Sequence, residues 1–228
     1  MDASTPVNEA ERLAALRRYE ILDTDPEQAL DEVVQLAATI CGTPIALISL
    51  VDSSRQWFKA RVGLTVMETP RDFSFCAHAI HGDDVFIVPD AHHDPRFSAN
   101  PLVLGDPHIR FYAGAPLTTP EGLKLGTLCV IDSRPRELDR VQRDALSALA
   151  RQAMIQLELR RRVGRQDLIT HNLRTPLTSI RGSIGLLASG VMGELTPEAR
   201  ELLTVAERNS TRLMSLIDEF LDFDRVKE

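Results

Sequence analysis

From Ile45 to Val51 the chain is apolar except at Ser49. After the polar turn Asp52-Ser53-Ser54, a second β-rich run follows, from Gln56 to Val62. Two such runs around a short polar turn predict a β-hairpin. Val85–Pro89, Phe111–Leu117 and Leu123–Ile131 have the same character, and Thr119-Pro120-Glu121-Gly122 reads as the turn between the last two. Glu9–Tyr19 and Glu27–Ile40 carry helical spacing instead. In the second of these, Leu30, Val33, Val34, Ala37 and Ile40 fall on one face, and Gly42 is placed to stop the helix. Residues 1–135 therefore predict an α+β domain built on an antiparallel sheet with flanking helices.

The pattern changes after Pro135. Val141, Ala145, Ala148, Gln152, Ile155 and Leu159 recur at alternating spacings of four and three. A second such seam runs through Leu202, Ala206, Asn209, Leu213, Leu216, Phe220 and Phe223. Sustained heptad spacing predicts helices that pack on other helices, often on a copy of themselves. Between the seams, residues 189–197 hold two Gly and a Pro, and Thr196-Pro197-Glu198 suits an N-cap followed by Pro at the first helical position. The tail reads as a long helix, a turn and a second helix. The first half of it is rich in Arg and the second in Asp and Glu, an opposition that favours their association only weakly if the charges are exposed.

Composition narrows the function classes. Of 228 residues, 43% are hydrophobic and 26% charged, as in an ordinary globular chain. The longest apolar run falls far short of the roughly 18 residues a membrane span needs, and Met1–Pro6 has no leader pattern. The expectation is a cytoplasmic protein without a membrane partner. A net charge of −7 disfavours nucleic acid, whose phosphates an acidic surface repels. Cys41, Cys76 and Cys129 form no CxxC pair, so they read as free thiols, with Cys76 and Cys129 in the core.

The stretch that carries chemistry is Leu168-Ile169-Thr170-His171-Asn172-Leu173-Arg174-Thr175-Pro176-Leu177-Thr178-Ser179-Ile180. A histidine of ordinary pKa, about 6.5, is largely neutral at pH 7 and keeps one nitrogen lone pair free. Such an imidazole can take a phosphoryl group, a transfer that needs positioning and charge stabilisation more than covalent machinery. Pro176 lacks an N–H and clashes with the preceding turn, so it predicts a bend just past His171, where a signal would change that residue's exposure.

The order His-x-Leu-Arg-Thr-Pro-Leu-Thr-x-Ile strongly resembles the H-box of sensor histidine kinases. With the closing Asn209-Ser210-x-Arg212-Leu213 pattern, the tail is similar to their dimerisation and phosphoacceptor hairpin. The resemblance implies that His171 is the phosphoacceptor and that Thr175 orients the water that hydrolyses a phosphorylated response regulator. Arg174 would contact phosphate or the partner's surface. The residue after the histidine is normally acidic in this family; here it is Asn172, whose amide can accept the ring N–H but supplies no negative charge. Weakened autophosphorylation is expected. The family's ATP-binding domain has Asn-rich and Gly-rich motifs that do not occur in these residues. ATP and Mg would therefore be held elsewhere, and the chain alone is expected to be inactive as a kinase and part of a larger one.

Residues 1–135 resemble a GAF domain, the input module upstream of many H-boxes. The matching residues include Arg55-Gln56-Trp57-Phe58-Lys59, Ser74-Phe75-Cys76-Ala77-His78, Asp94-Pro95-Arg96-Phe97, Arg110–Leu117 and Gly126–Asp132. The resemblance implies a central antiparallel sheet with helices on one side and a ligand cavity on the other. The ligand stays unknown. Cys76 and His78 are separated by Ala77, which disfavours a covalent bilin, and the cyclic-nucleotide signature is missing. His92-His93-Asp94 with His81 reads as a polar loop, so no metal is expected.

The architecture expected is an α+β GAF sensor domain (1–135), a coiled-coil connector helix (136–165) and an all-α phosphoacceptor hairpin (166–228), which forms a four-helix bundle in a homodimer. The expected function is the sensor and phosphoacceptor portion of a two-component kinase, serving a response-regulator receiver domain. The alternatives are a non-catalytic scaffold with a silenced site and a phosphotransfer protein served by a separate kinase.

Overall fold

The computed structural model describes residues 6–189, 193 and 196–225, without the side chains of residues 164–175, 198 and 216–225. It divides into two units, Met1–Arg161 and Arg162–Glu228.

In the first unit, α1 (Glu9–Arg18) and α2 (Gln28–Cys41) precede the hairpin of β1 (Ile45–Val51) and β2 (Arg55–Val62). Gly42, at φ 63°, ends α2 in the left-handed conformation that favours glycine. Next come β3 (Glu68–Pro70), α3 (Phe75–Ala79), β4 (Phe86–Val88) and α4 (Pro101–Leu104). β5 (Phe111–Thr118) and β6 (Lys124–Asp132) close the sheet, and α5 (Arg140–Ala188) leaves it. The six strands are ordered β3-β2-β1-β6-β5-β4, with every pairing antiparallel.

Each face of the sheet carries its own core. Ala46, Ile48 and Leu50 of β1 pack with Leu30, Val34 and Ala37 of α2 and with Leu146, Ala150, Ala153 and Leu157 of α5. Alternate residues Ile45, Leu47 and Val51 pack on the other side with Phe75, Cys76, Phe97, Val103 and Tyr112. A strand covered on both faces has no need of polar alternation, which is why β1 reads as an almost unbroken apolar run.

Helix α5 presents two stripes. The heptad seam read from the sequence faces outward: Val141, Ile155 and Leu159 are 73%, 52% and 49% exposed. A second stripe, Leu146, Ala150, Ala153 and Leu157, is buried against the sheet. The helix is thus an integral layer of the first unit over its N-terminal turns.

In the second unit α5 runs on through Pro176 to Ala188, and α6 spans Pro197–Arg225. Thr196 caps α6 as its sequence implied, its Oγ1 accepting from the N–H of Ala199 at 3.2 Å. Of the expected turn, residues 190–192 and 194–195 lie outside the described residues.

Candidate functional site

His171, Asn172, Arg174 and Thr175 lie on α5, and their side chains are outside the described residues. Pro176 is exposed, within the helix. The described part of the second unit buries Ile184 on α5 and Ser210 on α6 and leaves Leu202, Val205 and Leu213 of α6 substantially exposed.

The first unit holds a cavity of about 150 Å³ on the sheet face opposite α2 and α5. Its walls are mainly apolar, including Leu47, Phe58, Phe75 and Ile109, with Gln56, Cys76 and Tyr112 among the polar members. Thr65, Val66 and Asp106 line it and are themselves exposed, so the cavity opens to solvent at their edge. Asp106 is the one charged residue among its described lining residues. Such a wall suits a small uncharged molecule; a phosphate would find a carboxylate instead of a guanidinium.

A polar network organises the wall. Ser74 caps α3, its Oγ accepting from the Ala77 N–H at 3.0 Å and donating to Gln56 Oε1 at 2.5 Å. Gln56 Nε2 donates to Thr69 Oγ1 at 2.6 Å, which ties β2 to the β3 edge. Asn100 joins the neighbouring element, donating to the Phe73 carbonyl at 3.0 Å while its Oδ1 caps α4 through the Leu102 N–H at 2.9 Å. Phe75 stacks on Phe97 with ring centroids 4.0 Å apart and on Tyr112 at 5.2 Å. Gly114 leaves the room Tyr112 occupies, since a Cβ there would run into its hydroxyl.

Beneath that wall the structure brings together two cysteines that spacing did not connect. Cys76 Sγ and Cys129 Sγ are 3.9 Å apart and buried. The Tyr112 hydroxyl donates to Cys76 Sγ at 3.4 Å and lies 3.3 Å from Thr127 Oγ1. Burial opposes the Cys76 thiolate, but hydrogen bonds from the Cys129 thiol, Ser49, Thr127 and Tyr112 outweigh it and lower the Cys76 pKa. Cys129 shifts the opposite way, chiefly through its hydrogen bond to Cys76 and through burial.

The histidine-rich loop has a different arrangement. His93 Nδ1 lies 2.9 Å from Asp90 Oδ2, and the same carboxylate takes two bonds from Arg110, at 2.6 and 2.7 Å. Among the described residues no three His, Cys, Asp or Glu side chains gather as a metal site requires. Nor is any described helix long and apolar enough to cross a membrane.

Residues 25–157 match the GAF domain family, and residues 168–228 match the His Kinase A (phospho-acceptor) domain. A cyclic di-GMP phosphodiesterase of Pseudomonas aeruginosa is 52% identical over 131 residues, which make up 58% of this chain and 22% of that protein. The sensor histidine kinase GlrK of Escherichia coli K12 is 42% identical over 57 residues, 25% of this chain and 12% of its own. The chain thus spans less than a quarter of either relative. Among solved structures, the GAF domain of a phosphoenolpyruvate-protein phosphotransferase from Coxiella burnetii superposes with a TM-score of 0.52 at 16% identity, covering 71% of this chain and 99% of that one. The sheet order, the two-sided core and these matches agree: the chain belongs to the GAF domain family and carries a histidine-kinase phospho-acceptor domain after its GAF domain.

Proposed function

We propose that this chain is the sensor and phosphoacceptor portion of a cytoplasmic two-component histidine kinase, with His171 as the phosphoryl carrier. The observation that carries the reading is the match of residues 168–228 to the phospho-acceptor domain, with His171 in its H-box-like sequence on helix α5. A neutral His171 nitrogen attacks the γ-phosphorus of ATP, a P–N bond forms, and the P–O bond to ADP breaks. The labile phosphoramidate then passes its phosphoryl group to an aspartate on a response-regulator receiver domain. ATP and Mg are held by a catalytic domain outside these residues. Arg174 contacts the phosphoryl group or the regulator, Thr175 orients the hydrolytic water, and Pro176 provides the bend through which exposure of His171 changes.

The chain works as a parallel homodimer, with helices from two copies forming a four-helix bundle around the His171 segments. The outward seam of Val141, Ile155 and Leu159 supports this reading, because monomeric helices seldom leave a heptad stripe in water. What the GAF cavity senses is transmitted along α5, whose N-terminal turns belong to the sensor core.

The test is phosphate incorporation. The chain is incubated with ATP and a separately expressed, cognate ATP-binding domain, beside His171→Gln. Acid-labile label that requires both the added domain and His171 is the expected result. Absence of label with a cognate domain overturns the phosphoacceptor reading and leaves a dimerising scaffold.

A further inference from the structure

We propose that Cys76 and Cys129 form a peroxide-reactive thiol pair, with the GAF cavity as the entry route for a small hydroperoxide. Four features of the fold place these groups for that reaction. The sulfur atoms are 3.9 Å apart, so closing to the roughly 2.05 Å of a disulfide needs a shift of about 2 Å. Cys76 lines the cavity and Cys129 does not, which fixes the order of attack. Tyr112 donates its hydroxyl to Cys76 Sγ at 3.4 Å, a bond that favours the thiolate. The cavity rim at Thr65, Val66 and Asp106 is exposed and Cys76 belongs to the cavity wall, which gives a small uncharged oxidant a route to this residue in the folded domain.

The chemistry balances with one oxidant. The Cys76 thiolate attacks the terminal oxygen of the hydroperoxide, the O–O bond breaks, and the leaving alkoxide takes up a proton to depart as an alcohol (as water, from hydrogen peroxide). Cys76 is left as a sulfenic acid. The Cys129 sulfur then attacks the Cys76 sulfur, the S–O bond breaks, and hydroxide leaves with the Cys129 proton as water. Two thiols are oxidised to a disulfide and one peroxide is reduced; a cellular dithiol restores the pair by exchange. The proposal stands apart from the role of His171, since it concerns only the sensor unit.

Cys41 provides an internal control. It lies on α2 in the opposite core layer, where burial and the nearby Asp139 push its thiol up to about 11. The full chain is reduced, treated with hydrogen peroxide, quenched by alkylation in denaturant, and read by intact mass and peptide mapping. The expected product lacks two hydrogens, joins the Cys76 and Cys129 peptides within one chain, and leaves Cys41 alkylated. Oxidation should be at least about tenfold faster in the folded chain than in urea, because the fold supplies both proximity and the thiolate. In Cys129→Ser, Cys76 should stop at a sulfenic acid that dimedone captures, whereas Cys76→Ser should leave Cys129 unmodified. Retention of all three thiols overturns the proposal, as does a link through Cys41 or between two copies, or an equal rate in urea. Should either variant fail to fold, the native-sequence product and its rate against urea decide the matter alone.

Discussion

Arg160 Nη1 donates to the main-chain carbonyl of Tyr19 at 3.1 Å, fastening α5 to the segment that joins α1 to α2. The same nitrogen reaches the Glu20 carbonyl at 3.0 Å, and Nε reaches Glu27 Oε1 at 2.9 Å. Glu20 has φ 47°, in the left-handed region, so the connection is held where most residues are reluctant to sit. The Arg161 guanidinium lies 4.9 Å from the centre of the Tyr19 ring, and the Tyr19 hydroxyl bonds to Glu158. Arg160→Ala should therefore lower stability by about 1–2 kcal/mol, the cost of charge-assisted bonds at a half-exposed site. Arg160→Lys should recover less than half, since a single ammonium cannot span the same fork of acceptors. Urea unfolding followed through Trp57, the single tryptophan and a core residue, measures both.

Lys59 makes a sharper case. Its side chain is fully buried, and Nζ lies 2.7 Å from Glu27, 2.9 Å from Thr24 Oγ1 and 2.5 Å from the Asp25 carbonyl. Glu27 is partly exposed and keeps Arg160, but truncating Lys59 leaves the Thr24 and Asp25 oxygens facing an unfilled cavity, so Lys59→Ala should cost about 3 kcal/mol. Lys59→Met keeps the volume and should cost distinctly less. Equal losses in the two variants would show that the charge, and not the packing, dominates.

Glu9 links stability to pH. Burial would raise its pKa, but hydrogen bonds and charge from Arg12 and Arg71 bring it down from 4.5 to about 2. Arg12 is itself buried, with Nη1 on the Val51 carbonyl at 2.6 Å. A lowered folded pKa contributes stability above the unfolded value and loses it as pH falls through the folded one. The window is thus about pH 4.5 to 2, worth about 2 kcal/mol once the remaining solvent contact of Glu9 is allowed for. Glu9→Gln should be less stable at pH 7, and its deficit should vanish near pH 2. A deficit independent of pH would mean that the carboxylate charge has no part in it.

What was legible in the sequence follows from length and period. β1, β2, β5 and β6 are seven to nine residues each and announce themselves. The short elements β3, α3 and α4 have three to five residues, too few to establish either period, and they are fixed by tertiary contacts such as Gln56 with Thr69 and Asn100 with Phe73. Those same elements build the cavity wall, which is why the GAF resemblance implied a cavity but not its lining. The meeting of Cys76 with Cys129 joins residues 53 apart through α3 packing on β6, and no local pattern encodes it. The phospho-acceptor domain matched by residues 168–228 is the opposite case, carried by a contiguous motif.

The two stripes of α5 permit a test of separate roles. Ile155 and Leu159 are about half exposed, whereas Leu157 between them is 1% exposed in the sensor core. Ile155→Asp with Leu159→Asp should convert a dimer into a monomer by sedimentation, while Trp57 emission stays native. Leu157→Ala should instead cost about 2–4 kcal/mol in unfolding, by lost burial and an unfilled cavity. If the seam variant sediments as the native chain does, the outward stripe is not the dimer contact.

With His171 as the proposed phosphoryl carrier, Asn172 should set how readily it is charged. In the reading proposed here the neighbouring side chain holds the ring N–H, and a carboxylate in that place makes the other nitrogen more basic as the phosphoryl group arrives. An amide oxygen accepts the same hydrogen bond but leaves the positive charge that develops on the ring uncompensated. Asn172→Glu should therefore speed His171 labelling by about tenfold or more when a separate ATP-binding domain is supplied, less than the roughly hundredfold of a whole acid–base group because the amide already accepts the ring N–H. Asn172→Ala should label more slowly than the native chain, since it loses even the amide acceptor. Both rates are taken from initial incorporation of acid-labile phosphate at pH 7. Three equal rates would place residue 172 away from the ring and leave its identity without bearing on phosphoryl transfer.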